Sequence, residues 1–222
     1  MMLRIIAPHF IAGIIQGGAV APIIKYMKGW KLRKILDYCK FKGWTVEIIE
    51  DLEATALDFA IKAHEDQIRK YTKEPYINHC IAVAKLVKTV PHTVEMVCAA
   101  ILHDTLEDTQ TTKEGLIAIF GIEITNLVVW LTDQAFKGNR AQRKKLQREY
   151  LRQAPADAKT VKLADLINNA DSVIKYDPGF ARVFMNEFEL LLKVLTEGDS
   201  VLYMQAEKII KDYRLSNPAK SC

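Results

Sequence analysis

The chain has 222 residues, half of them hydrophobic, and a formal net charge of +4. That length supports one sizeable core with a small appendage. No Lys/Arg run is long enough for a nucleic-acid arm, so no nucleic-acid partner is expected; the basic cluster between Arg140 and Arg148 can still attract an anionic small molecule. Four scattered cysteines (Cys39, Cys80, Cys98 and Cys222) form no CxxC pair, and fit a reducing, cytoplasmic setting better than a disulfide framework.

Residues 1–24 are apolar, but His9, Gln16 and Gly17-Gly18 interrupt them and Pro22 directly follows Ala19-Val20-Ala21. These breaks argue against a secretory leader and against a membrane span, which needs about 20 unbroken apolar residues. No membrane partner is expected. Leu3 to Ile15 and Ala19 to Ile24 flank Gln16-Gly17-Gly18, a hairpin signal. Lys31 to Lys42 reads as a helix and Thr45 to Ile49 as a short strand. Residues 1–50 are therefore expected to form a small β-hairpin, helix and strand appendage. Its apolar strands show little alternation and no Pro/Ser/Gly-rich linker follows, so it is expected to dock on the body and help cover the site, with His9 near it.

From Glu50 the periodicity becomes helical. Leu52, Ala56, Phe59, Ala60 and Ala63 form one apolar stripe; Ile81, Ala84, Leu86 and Val87 form a second; Val94, Val97, Cys98, Ile101 and Leu102 form a third. Thr111 with Glu114 reads as a capping box ahead of Leu116 to Phe120, and Gly121 stops that run. Further helices are expected at residues 122–131, 141–153, 156–173, 181–196 and 200–213. Residues 51–222 should form a mainly all-α helical bundle.

The chemistry concentrates in Leu102-His103-Asp104-Thr105-Leu106-Glu107-Asp108, at the end of an apolar helix. Charged groups at a core edge need a partner or a metal. His79 opens another helix, and Asp165 lies in Val161-Lys162-Leu163-Ala164-Asp165 on a third. Two imidazoles and two carboxylates suit Mn²⁺, Fe²⁺ or Mg²⁺ better than a structural zinc site, which usually takes thiolates. Glu107 and Asp108 are adjacent and can share a site only if their helix ends there, as Thr109 to Thr112 suggest. Arg140 reads as a loop charge, and His64 as a brace for the first helix.

The segment from Ala63 to Asn169 resembles the hydrolase domain of the RelA/SpoT homologues, especially the small alarmone hydrolases of the HD superfamily. The matching pieces run in order: Ala63-His64, Gln67, Arg69-Lys70, Pro75 to His79, Leu102 to Asp104, Glu107 to Thr109, Phe120-Gly121, Leu131 to Asp133, Val161 to Asp165, and Asn169. The resemblance implies an HD-domain helical bundle holding one Mn²⁺ per chain at His79, His103, Asp104 and Asp165. It implies that Glu107 and Asp108 are the catalytic carboxylates, that Arg69, Lys70 and Asn169 lie near the nucleoside, and that Lys137 lies near the phosphates. One departure stands out. The family usually carries an Arg two residues after the motif Asn, where this chain has Asp171.

The activity so implied is hydrolysis of the 3′-pyrophosphate of a guanosine or adenosine alarmone such as ppGpp, releasing pyrophosphate. A metal would acidify a water and offset phosphate charge, and a carboxylate beside it would take a proton. Two rivals remain: an HD phosphohydrolase acting on a deoxynucleotide or NADPH, and a non-catalytic nucleotide-binding regulator on the same scaffold. The partner is a small nucleotide, and an oligomer is left open.

Overall fold

A computed structural model describes residues 2–6, 37, 40–41, 45–49 and 51–218. The chain divides into two compact units, Met1–Asp51 and Leu52–Cys222. In the first, β1 (Met2–Ile6) pairs antiparallel with β2 (Thr45–Ile49), with Met2 opposite Ile49 and Ile6 opposite Thr45. Both strands are rich in β-branched residues, which suit a pleated ladder. Asp37, Lys40 and Phe41 are helical, inside the stretch expected to be a helix. The expected hairpin through Gln16-Gly17-Gly18, and His9, lie outside the described residues.

The second unit is helical. Its elements are α1 (Leu52–Ala63), α2 (Ile77–Val87), α3 (Val94–Leu102), α4 (Thr105–Asp108), α5 (Lys113–Leu131), α6 (Arg140–Arg152), α7 (Ala156–Tyr176), α8 (Pro178–Leu192) and α9 (Ser200–Ser216). Two helices form its centre. Every residue of α3 from Met96 to Leu102 is buried, because α1, α2, α5 and α7 all pack around it. An helix apolar all round belongs inside a core. The 21-residue α7 touches α2, α3, α5, α8 and α9, and buries Val161, Leu163, Ala164, Ile167 and Ala170.

Local chemistry sets the boundaries. Thr93 caps α3 by accepting from Met96 N at 3.3 Å. The cap of α5 is Thr112, which accepts from Gly115 N at 3.1 Å; the box expected from Thr111 and Glu114 does not form. Thr111 is used in the preceding turn instead, its N–H donating to Thr109 Oγ1 at 3.0 Å. Asn139 and Gln142 form a reciprocal capping box at α6. Asp177 accepts from Phe180 N and Pro178 follows it, so α8 starts three residues earlier than expected.

Helix α5 has the length and apolarity of a membrane span. It is a core element instead: Gly121 breaks it at φ 79°, ψ 174°, and Leu116, Phe120, Ile124, Leu127, Val128 and Leu131 are buried against the other helices.

Candidate active site

Helix α3 ends at Leu102 because the next residues turn their bonds inward. Thr105 Oγ1 donates to Leu102 O at 2.7 Å, and the His103 ring donates through Nδ1 to Ala100 O at 2.9 Å. His103 is 2% exposed, and its buried Nε2 makes no well-aligned hydrogen bond among the described residues. That nitrogen lies 2.8 Å from Asp104 Oδ2 and 3.8 Å from Asp165 Oδ1. From α2, His79 donates through Nδ1 to Asn168 Oδ1 at 2.7 Å, which leaves its Nε2 3.3 Å from Asp165 Oδ1 and 3.6 Å from Asp104 Oδ2. Two helices and the end of a third thus bring His79, His103, Asp104 and Asp165 around one point.

The donor set fits a divalent cation. Once Nδ1 of each ring is a donor, the neutral tautomer leaves a lone pair on Nε2 facing carboxylate oxygen at 2.8 to 3.8 Å in a buried site. Such an arrangement needs a cation between the groups or a proton on a ring. Donor atoms of His79, His103 and Asp165 lie within 4.8 Å of one another, which marks a candidate site for a divalent metal. The outer hydrogen bonds to Ala100 and Asn168 orient the rings. Without an ion, a proton takes that place. Burial acts to lower His103, but the charge and bonding of Asp104, with Asp165 behind, outweigh it and push His103 up to about 9. Burial acts to raise Asp165, but Lys162, His79 and His103 hold it well below the ordinary carboxylate range.

The outer oxygens are committed too. Asp165 Oδ2 accepts from Lys162 Nζ at 2.8 Å, and Oδ1 from Asn169 Nδ2 at 2.6 Å. Asn169 Oδ1 accepts twice from the Arg69 guanidinium at 3.1 Å. Arg69 and Asn169 are therefore joined to the cluster. Tyr76 donates to Asp104 Oδ2 at 2.7 Å. His64 pairs with Gln67 at 2.7 Å and stacks on Tyr76, bracing the end of α1.

A cavity of about 300 Å³ opens on one side of this cluster. Asp104, Asp165 and Asn169 reach it, as do Glu107 and Asp108. Helix α4 ends immediately after them, since Thr109 is extended. Glu107 Oε2 accepts from Asp133 N at 2.8 Å. Burial raises both carboxyls from their ordinary values, and the Asp104 charge adds to this for Asp108. Its lining includes a cationic wall: Arg140, Lys144 and Arg148 come from α6, with Lys144 bonded to Asp133 at 2.7 Å, and Lys162 from α7. Phe180, Phe184 and Phe188 of α8 close the apolar side.

Arg140 is the first residue of α6 and not a loop charge; it binds Glu187 of α8 through two bonds of 2.7 and 2.8 Å. Lys70 is exposed and bonds to Asp177 and Tyr71. Lys137 is exposed in the loop before α6 and does not line the cavity. Asp171 is exposed on α7 and also does not line it, so it removes no cation from this wall. Gln147, Asn168 and the α8 phenylalanines carried no role in the sequence reading, while Lys144 and Arg148 figured there only as part of a basic cluster that could attract an anion. Arg140, Lys144 and Arg148 recur every four residues, the spacing of one helix face, and that signal was available.

An all-helical body that brings a His-Asp pair together with a histidine and an aspartate from two other helices is the arrangement of an HD domain, and the HD domain family model matches residues 56–186. A guanosine-3′,5′-bis(diphosphate) 3′-pyrophosphohydrolase, MESH1 of Homo sapiens, is 38% identical over 160 residues, 70% of this chain and 89% of that one. The same-named protein of Xenopus tropicalis is 37% identical over 126 residues, 55% of this chain and 70% of its own. The solved structure of a metazoan ortholog of SpoT, which hydrolyses ppGpp and plays a role in starvation responses, superimposes with a TM-score of 0.69 at 25% identity, covering 76% of this chain and 99% of that one. The chain belongs to the HD-domain family and, within it, to the group of these MESH1 proteins.

Proposed function

We propose that the chain is a metal-dependent phosphohydrolase that removes the 3′-pyrophosphate of a guanosine or adenosine alarmone such as ppGpp, with Mn²⁺ as its resident ion. One observation carries this reading: the cluster of His79, His103, Asp104 and Asp165 opens onto a cavity lined by Glu107, Asp108 and several cationic side chains. The MESH1 relatives named for this activity support the choice of substrate. The scattered cysteines support a cytoplasmic setting.

When bound, the divalent ion supplies Lewis acidity, acidifying water and polarising a phosphoryl oxygen. The chain's own groups do the rest. His79, His103, Asp104 and Asp165 hold the ion. Glu107 and Asp108 stand where they can take a proton from the attacking water and return one to the leaving 3′-oxygen. Their raised pKa values, caused by burial, suit both directions of transfer. Water adds across the phosphorus–O3′ bond, so a 3′-hydroxyl and pyrophosphate leave. Lys144, Arg148 and Lys162 offset the polyanion, and Gln147 Nε2, buried without a partner among the described residues, offers it a further donor. The phenylalanines of α8 exclude water. Arg69 and Asn169 bind the nucleoside side, assisted by Lys70, and Lys137 reaches phosphates beyond the cavity.

A substrate panel tests the choice. With Mn²⁺, the protein should release pyrophosphate from ppGpp, pppGpp or ppApp faster than it hydrolyses deoxynucleoside triphosphates or NADPH. A preference for NADPH or a deoxynucleotide would move the assignment to a different HD phosphohydrolase.

A further inference from the structure

Cys80 directly follows His79 on α2 and is fully buried. A buried cysteine is most often a small apolar filler. The surroundings of Cys80 are not those of a filler. Its sulfur, a His103 nitrogen and an Asp104 carboxylate oxygen all lie within 4.8 Å of one another. His103 also points to a ligand, because its buried Nε2 lies 2.8 Å from Asp104 Oδ2 without a well-aligned hydrogen bond among the described residues, an arrangement that a cation would satisfy. Consecutive helical residues point about 100° apart. His79 turns Nε2 toward Asp165 at 3.3 Å and Asp104 at 3.6 Å, while Cys80 places its sulfur near the His103 and Asp104 donors.

We propose that Cys80 is a sulfur donor of the metal site, giving it a soft face of Cys80, His103 and Asp104 that takes a thiophilic divalent cation such as Zn²⁺ or Cd²⁺. The inference rests on reading the four-residue cluster as a divalent-metal site. The oxygen-rich combination of His79, His103, Asp104 and Asp165 suits a harder ion such as Mn²⁺. A sulfur changes that balance, since thiolate selects Zn²⁺ and its heavier relatives over Mn²⁺. As the sulfur–metal bond forms, the thiol proton leaves to solvent. His103 and Asp104 belong to both faces, so a soft ion held by Cys80 and a hard ion held with Asp165 compete for the same two ligands. The site would then bind two classes of cation in mutually exclusive ways, and a thiophilic ion would displace Mn²⁺.

The test uses metal binding itself, on the full chain stripped of metal. Mn²⁺ binding is followed by electron paramagnetic resonance, and Cd²⁺ binding by the ultraviolet sulfur-to-cadmium charge-transfer band. Wild-type protein should bind Mn²⁺, and Cd²⁺ should displace it as the band appears. Cys80→Ser, a nearly isosteric change, should lose the band and bind Cd²⁺ about tenfold or more weakly while keeping Mn²⁺ affinity. A variant with Cys39, Cys98 and Cys222 all changed to Ser should keep the band. Wild-type protein that binds Mn²⁺ but shows no band with Cd²⁺ would overturn the role of Cys80, and so would a band that survives in Cys80→Ser. Failure of wild-type protein to bind Mn²⁺ at all would remove the underlying metal site as well.

Discussion

His79 and His103 are held in the same way: each ring donates through Nδ1 to an oxygen of the scaffold and turns Nε2 toward the carboxylates. For His79 that oxygen belongs to Asn168, whose side chain makes this one hydrogen bond among the described residues. Asn168→Ala should therefore fold normally and lose about 10- to 100-fold in Mn²⁺ affinity, the scale of ligand-orienting partners, as a Mn²⁺ titration would show. Unchanged affinity would mean that packing alone orients the ring. Glu107 and Asp108 sit just outside the proposed ligand set. Glu107→Gln or Asp108→Asn should keep the metal and lower turnover by about 10² or more, read as rate at saturating substrate. If either carboxylate works in its ionised form, activity is lost as pH falls through its pKa. Burial raises that pKa, so the acid limb of the rate profile should lie above the ordinary carboxylate value of about 4. The cluster residues were legible in the sequence because histidines and acids on apolar stretches are hard to explain by packing. Asn168 and Lys162 were not, because a polar residue on a helix looks like a solvated face until its neighbours are known. Lys162 shows this best: it is quoted in the motif, yet only the fold reveals its bond to Asp165.

At the scale of elements, α3 and α7 carry the site because both are buried from several sides and cannot shift independently. The break at Gly121 lets α5 pack its two halves against that core. At φ 79°, ψ 174°, this residue occupies a region that side chains other than hydrogen enter only under strain, and no atom within 4 Å would meet an added Cβ. Backbone strain alone thus sets the effect. Gly121→Ala should destabilise the fold by about 1–3 kcal/mol in urea unfolding while leaving KM unchanged. A loss below that range would show that the chain relaxes around the break. Gly121 was legible as a stop. The α5 cap was misread by one residue, because Thr111 and Thr112 are chemically equivalent and only the turn bond from Thr111 to Thr109 decides between them. The pairing of β1 with β2 was hidden for another reason: nearly 40 residues separate these strands, and local pattern favours the nearer partner.

For the molecule as a whole, the helical unit was readable because its motifs fall in fixed order on apolar helices. The identity of the cavity's cationic wall was not, since α6 and α8 meet only in the fold, where Arg140 binds Glu187. Together, the buried cluster and the cavity beside it are proposed to perform a metal-dependent removal of 3′-pyrophosphate. The most direct measurement is pyrophosphate release from ppGpp by metal-stripped protein, before and after Mn²⁺ is added, for wild type and for His103→Ala. Stripped wild type should be inactive and should recover with Mn²⁺, while folded His103→Ala should hold no metal and stay inactive. Full turnover by the stripped protein, or normal metal content and activity in His103→Ala, would contradict the claim.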